Sequence, residues 1–140
     1  MTTALGHEVD LPLAFKAAVE ATEAALKAER FGVLTEIDLQ AAFRDKLSRE
    51  FRPYTILGAC NPPLAFAAVT ADPAIGLLLP CNVTVEWVSD GRSRVRLIDP
   101  RAMLAAAPGG LSPAMTEVAA DAHARIERVV QALGQVLAMS

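Results

Sequence analysis

The sequence predicts a domain in which helices and strands alternate along the chain, and three observations carry that expectation. Apolar residues recur at helical spacing over residues 10–30 and 112–136. Short apolar runs bounded by turn residues, at 31–37 and 54–59, read as buried strands. The run from Gly76 to Val88 alternates between two faces and, after Ser89-Asp90-Gly91, returns as Arg92 to Asp99, which is the pattern of a hairpin.

The elements follow in order. Thr2 to Val9 is expected as a short first strand. Asp10 then caps a helix that runs to Arg30, with Pro12 tolerated in its first turn. Phe15, Val19, Thr22 and Leu26 form its buried stripe, and Lys16, Glu20, Glu23 and Lys27 its wet side. Phe31 to Ile37 is the next strand, with Gly32 allowing close approach at its start. Asp38 caps a second helix, Leu39 to about Glu50, with Ala42, Phe43 and Leu47 inward. Tyr54 to Ala59 is a strand, after which Asn61 caps a short helix that Pro62 opens and Asp72-Pro73 stops.

The hairpin register can be argued from its faces. Cys81, Val83, Val85 and Trp87 share one side, and Asn82, Thr84 and Glu86 the other. A two-residue Asp90-Gly91 loop would set Val85 opposite Arg96 and mix apolar with charged. A three-residue loop with Gly91 left-handed pairs Val85 with Val95 and Val83 with Leu97, and sets Glu86 facing Arg94. A slip of one residue reverses every side chain, so the second register is expected. Pro80 lacks an N–H and marks an edge or a bulge. Pro100 to Ala107 reads as a helical turn and Pro108-Gly109-Gly110 as a break. Ser112 caps a long last helix whose stripe is Met115, Ala119, Ala122, Ile126, Val129, Leu133 and Val136. Glu117 and Asp121 early, with Arg125 and Arg128 later, suit its dipole.

Composition bounds the function. A chain of 140 residues is expected to form one domain, 1–140, and to bury roughly two-thirds of its unfolded surface. Hydrophobic residues make up 53%, which rules against disorder, and an alanine-rich chain with 5% aromatics suggests closely packed helices rather than an aromatic-lined groove. A net charge of −3 gives no attraction to nucleic acid or an anionic membrane, so neither partner is expected. The most apolar region, Pro62 to Leu79, is broken by Thr70, Asp72 and Pro73 and is short of the about 20 apolar residues of a span. The first residues lack the basic region and apolar stretch of a signal peptide, so a cytoplasmic location and reduced thiols are expected.

The two cysteines, Cys60 and Cys81, each precede an asparagine and lie within two residues of a proline. That repetition makes Cys60-Asn61-Pro62 and Pro80-Cys81-Asn82 the candidate binding site, with Cys60, Asn61, Pro62, Cys81 and Asn82 as its residues. Packing alone is the other reading, because free cysteine is among the most buried residue types. Asn61 serves as a helix cap on either reading. The helix start at Pro62 would direct amide groups toward Cys60 and lower its thiol pKa, which makes Cys60 the more reactive of the pair. No metal and no cofactor are expected: two cysteines 21 positions apart, with His7 and His123, make no close ligand pair. Arg92, Arg94 and Arg96 form a basic row, read as a solvated face paired with Glu86 or as an anion or partner surface. Paired catalytic carboxylates, a phosphate loop and a Ser/His/Asp order are not recognisable.

Three segments together resemble the bacterial and archaeal domain of unknown function 302 family: Phe31-Gly32-Val33-Leu34-Thr35-Glu36-Ile37-Asp38, Ile56-Leu57-Gly58-Ala59-Cys60-Asn61-Pro62 and Leu78-Leu79-Pro80-Cys81-Asn82-Val83. The resemblance runs from about Leu13 to Leu133. It implies an α+β fold of the TATA-binding-protein-like type: a curved, mainly antiparallel sheet of about five strands with helices packed on one face. It also implies a homodimer, and it supplies no activity. The family usually places a glycine at the end of the first long helix, where this chain has Arg30.

Taken together, the expectation is a non-catalytic homodimeric module that binds a small molecule or a protein near the cysteine-asparagine clusters. The alternatives are a thiol-dependent enzyme or redox sensor using Cys60, and a purely structural interaction module. The homodimer is expected also because charged residues are too few to cover every face of so short a chain.

Overall fold

A computed structural model describes residues 2–105 and 112–138. Five strands, β1 (Gly6–Leu11), β2 (Gly32–Asp38), β3 (Tyr54–Cys60), β4 (Cys81–Ser89) and β5 (Arg92–Ile98), form one open antiparallel sheet in the order β1-β5-β4-β3-β2. The described helices are α1 (Phe15–Ala28), α2 (Leu39–Leu47), α3 (Pro62–Ala71), α4 (Pro100–Leu104) and α5 (Pro113–Ala138), with a 3-10 helix at Pro73–Leu78. The expected α+β class is therefore observed. The Pro108-Gly109-Gly110 break lies outside the described residues.

Alternation sorts the sheet. Val9, Leu11, Leu57, Ala59, Val83, Val85, Val95 and Leu97 are buried on one face, where α1 and α5 cover them with Ala18, Leu26, Ile126, Val129 and Leu133. The stripe expected on α5 is buried from Met115 to Leu133, and Ser112 caps the helix by accepting from the Met115 N–H at 3.2 Å. Its charges act through pairs and not through the dipole: Arg125 bonds Asp121 at 2.8 Å, and Arg128 bonds Glu29 at 2.7 Å. A second, smaller cluster of Ala68, Ile75, Leu104, Met115 and Ala119 closes one end of the domain.

The hairpin has the expected register, with Val83 opposite Leu97, Val85 opposite Val95 and Glu86 opposite Arg94. Its loop differs. Asp90 and Gly91 alone form the tip between paired Ser89 and Arg92, and the extra residue is taken up as a bulge between Trp87 and Ser89. A bulge absorbs the odd residue while leaving both faces intact. Gly91 still has a positive φ, at +79°.

Other boundaries move for identifiable reasons. Asp10 does not cap α1. It stays in β1, where its carboxylate pairs with Arg94, and Ala14 holds the cap position without a side-chain bond. Gly76 to Leu79 is not strand: Asp72 accepts from the Ala74 N–H at 3.0 Å and starts the 3-10 helix, so β4 begins only at Cys81, after a cis Leu79-Pro80 bond. α2 is capped by Asp38 as expected but ends at Leu47, and none of its residues is buried. The apolar face is already filled by α1 and α5, so Phe43 packs edge-on against Phe51 at 5.2 Å and Leu47 stays 63% exposed.

The end of α1 answers the question raised by Arg30. The Phe31 N–H donates to the Leu26 carbonyl at 3.0 Å and the Arg30 N–H to the Lys27 carbonyl at 2.9 Å, while Leu26 and Phe31 pack together in the core. This is a Schellman cap, and it holds Arg30 at φ +66° without the glycine such caps favour. A left-handed non-glycine residue costs roughly 1–2 kcal/mol. Arg30→Gly should therefore stabilise the domain by about 1 kcal/mol, whereas Gly91→Val, which puts a β-branched residue at the same kind of φ, should destabilise it by about 1–2 kcal/mol. Urea unfolding of the two variants should move the midpoint in opposite directions.

Candidate functional site

Both cysteines reach one cavity. Cys81 opens β4 opposite Ala59, and Cys60 is the next residue along β3. Between the two strand ends and the helices α3, α4 and α5 lies a cavity of about 40 Å³, lined by Cys60, Asn61, Cys81, Pro80 and a set of apolar side chains that includes Phe31, Leu64, Ala68, Leu104, Val118 and Ala122. Gly58 lets the turn close over the sheet: a Cβ there would collide with the Thr35 hydroxyl and lie 2.9 Å from the Pro80 ring. A side chain at residue 58 would push away the proline that delivers Cys81.

Asn61 is 6% exposed and caps α3, its side-chain oxygen accepting from the Leu64 N–H at 3.3 Å. Pro62 sits exposed at the first position of that helix and is not among the lining residues. Asn82 departs further. Its strand position is opposite in parity to Cys81, and it lines a separate groove of about 220 Å³ on the other sheet face, with Thr84, Tyr54, Arg96 and Leu5 among its neighbours. The candidate site thus divides: Cys60, Asn61 and Cys81 come together, Pro62 flanks them, and Asn82 faces away. The apolar wall from α3, α4 and α5 had no signal in the sequence beyond helical periodicity, which marks core and cavity lining alike.

The electrostatics run against an activated thiol. Burial pushes the Cys60 thiol up, and it pushes Cys81 up to about 11, with the neighbouring Cys60 adding to the effect. The positive end of α3 does not reverse this for Cys60, and the expected lowering is not found. Both thiols are free. His7 and His123, distant in sequence, approach with ring centroids 6.3 Å apart, and His123 lies between Asp99 and Glu127. Even so, among the described residues no group of three or more His, Cys, Asp and Glu side chains is placed to hold a metal ion.

The opposite sheet face carries a ladder of ion pairs. Arg94 grips Asp10 with two bonds, at 2.6 and 3.2 Å. Arg96 reaches Glu8 at 2.8 Å and Glu86 at 2.7 Å, and Arg52 completes Glu86 from the other side. Glu86 therefore bonds its diagonal neighbour Arg96 and not Arg94 directly opposite. Burial raises the Glu86 carboxyl, but the bonds to Arg96 and Arg52 outweigh it and hold the group below its ordinary value. The Arg94 bond likewise holds Asp10 down. Arg94 and Arg96 are thus spent within the sheet.

Comparison with known proteins adds three findings. The profile of the family described as "Domain of unknown function DUF302" matches residues 7–133. The chain is similar to the crystal structure of an uncharacterized conserved DUF302 protein from Bacillus stearothermophilus, with 26% identity and a TM-score of 0.78, covering 91% of this chain and 96% of that one. A search of the curated proteins finds no match. No described helix is long and apolar enough to cross a membrane.

Two outcomes are expected from this geometry. At neutral pH both thiols should alkylate roughly tenfold or more slower than an unstructured cysteine, with half-buried Cys60 ahead of buried Cys81, as read by mass spectrometry after brief labelling. Glu86 and Asp10 have lower pKa values folded than unfolded, so their stabilisation is complete above the usual carboxylate range and is lost as pH falls through the folded values. Glu86→Gln should cost about 2 kcal/mol at pH 7 and flatten the fall in stability between roughly pH 5 and pH 3. Thermal melts across that range would show it.

Proposed function

The chain belongs to the DUF302 family of domains of unknown function, and from that premise we propose that it is a non-catalytic homodimeric binding module whose ligand site is the cavity at Cys60 and Cys81. One observation carries the reading: the cavity presents almost no chemistry. Its polar groups are two thiols held in the neutral form and an asparagine already engaged as a helix cap. A thiol-dependent enzyme or redox sensor needs a thiolate near neutral pH, and burial opposes one at both positions. An apolar enclosure instead suits the end of an aliphatic or similarly apolar group. Its volume of about 40 Å³ exceeds the roughly 10–15 Å³ that one water needs and is far below the roughly 300–1,000 Å³ of a cavity that engulfs a whole cofactor. The bound portion is therefore a terminal group, with the rest of the ligand at the surface.

Xenon is a probe of this size and polarity, since dry apolar cavities take it up. Under xenon pressure the methyl resonances of Leu64, Leu104 and Val118 should shift saturably. Ala68→Leu, which adds bulk to the cavity wall, should reduce those shifts severalfold while keeping a cooperative melt. Shifts spread over the surface, or unchanged by Ala68→Leu, would overturn the assignment.

A further inference from the structure

We propose that the groove on the outer sheet face, at Asn82 and Thr84, is a second ligand site that takes a small uncharged molecule bearing the donor–acceptor edge of an amide. It shares no residue with the cavity at Cys60 and Cys81. The motivating observation is a polar group left over. Thr84 lines the groove, yet its hydroxyl is buried and has no hydrogen-bond partner among the described residues. A buried hydroxyl without a partner is costly, and native proteins hold few of them. Its cross-strand neighbours cannot supply one. Ile56 has no polar side-chain atom, and Arg96 is committed through Nε to Glu8 and through Nη1 to Glu86. The other unpartnered atom, His7 Nε2, belongs elsewhere, because His7 pairs with the core residue Leu97 and its ring lies beside His123 of α5.

The register builds the groove and its charges choose the ligand. Glu8, Arg96, Thr84 and Ile56 stand side by side across four strands, and two residues along β4 Asn82 stands beside Gly58, which brings no side chain. At the β1 end, the Thr3 hydroxyl accepts from the Gly6 N–H at 3.1 Å and folds the chain into a turn that holds Leu5 at the rim. Around this space Arg52, Arg94 and Arg96 are paired with Glu8, Asp10 and Glu86, so three positive and three negative charges cancel. The groove therefore draws in neither an anion nor a cation. Its uncommitted polar groups are the Thr84 hydroxyl, the Asn82 carboxamide and the Tyr54 hydroxyl, none of which hydrogen-bonds another described residue. A carboxamide sets a donor beside an acceptor and pairs through two bonds with an edge that offers the same. Leu5, Ile98 and the Tyr54 ring give the body of the molecule apolar walls. The volume of about 220 Å³ falls short of the roughly 300 Å³ at which drug-sized ligands are held, so the occupant is a small molecule.

The test is a titration of the isotope-labelled full chain with benzamide and with uracil, which carry this edge on an open carboxamide and in a nucleobase ring. At least one of the two should shift the backbone amide resonances of Tyr54, Asn82 and Thr84 saturably, and the tighter binder tells which source of the edge the groove prefers. Benzoate and benzylamine, the charged counterparts of benzamide, should bind about tenfold weaker or worse. Asn82→Ala and Thr84→Val should each weaken binding by about fivefold. Thr84→Val should also raise the melting midpoint of the free protein by roughly 2–5 °C, since it removes the unpaired hydroxyl and keeps the branched shape. A threonine with only a structural role would show the change in melting and no change in binding. Ala68→Leu, which fills the other cavity, should leave this titration unchanged, so the two sites stand or fall separately. No saturable shift with either compound, equal binding of the charged counterparts, or an affinity indifferent to Asn82→Ala or Thr84→Val would overturn the proposal.

Discussion

The register between β4 and β5 is the constraint on which the rest of this domain depends. With a side-chain period of two, setting Val83 opposite Leu97 and Val85 opposite Val95 sends Val83, Val85 and Val95 to the helix side. The same register sends Glu86 and Arg96 to the other side, where Arg52, Glu8, Asp10 and Arg94 join them. A slip of one residue would bury arginines under α1 and α5 and leave the valines wet. The bulge between Trp87 and Ser89 protects this arrangement, because it takes up the odd residue at the turn before it can propagate.

From that register the cavity follows. β3 pairs with β4 such that Ala59 meets Cys81, which brings the ends of the two strands, and with them both thiols, to one end of the sheet. Asn61 and Pro62 turn the chain straight into α3 at that point, and Asp99 and Pro100 do the same for α4 after β5. Two short helices started by side-chain caps thus converge on the strand ends, and α5 closes the enclosure with Val118 and Ala122. The site is a product of where strands stop.

How much of this was legible in the sequence depended on whether the deciding force was local. The Asn61 cap, the Asp38 cap, the Ser112 cap and the α5 stripe follow from nearest neighbours and periodicity, and they stand as read. Asp10 did not, because an arginine 84 residues away claimed the carboxylate expected at a helix cap. α2 looked like a core helix by spacing, but its inward face had no vacancy left to fill. The candidate site was half legible for the same reason. Repeated Cys-Asn pairs marked two strand ends correctly, and the alternation of faces along β4 already set Asn82 on the side opposite Cys81, where it lines the other groove.

The placement of β1 beside β5 has a consequence for how the chain is made. His7 pairs with Leu97, so the first strand of this sheet to be made has no ladder to join until about 90 further residues have followed. Until then Val9 and Leu11 lack the core they are destined for, and the acids Glu8 and Asp10 lack their arginines. Closing so long a loop is slow relative to hairpin formation, which orders events: β4 and β5 can zip locally, β3 and β2 can add by short connections, and the N-terminal strand comes late. The growing chain therefore carries β1 as an unpaired edge until β5 has been made, with Glu8 and Asp10 as the charges that discourage it from pairing with a neighbouring chain.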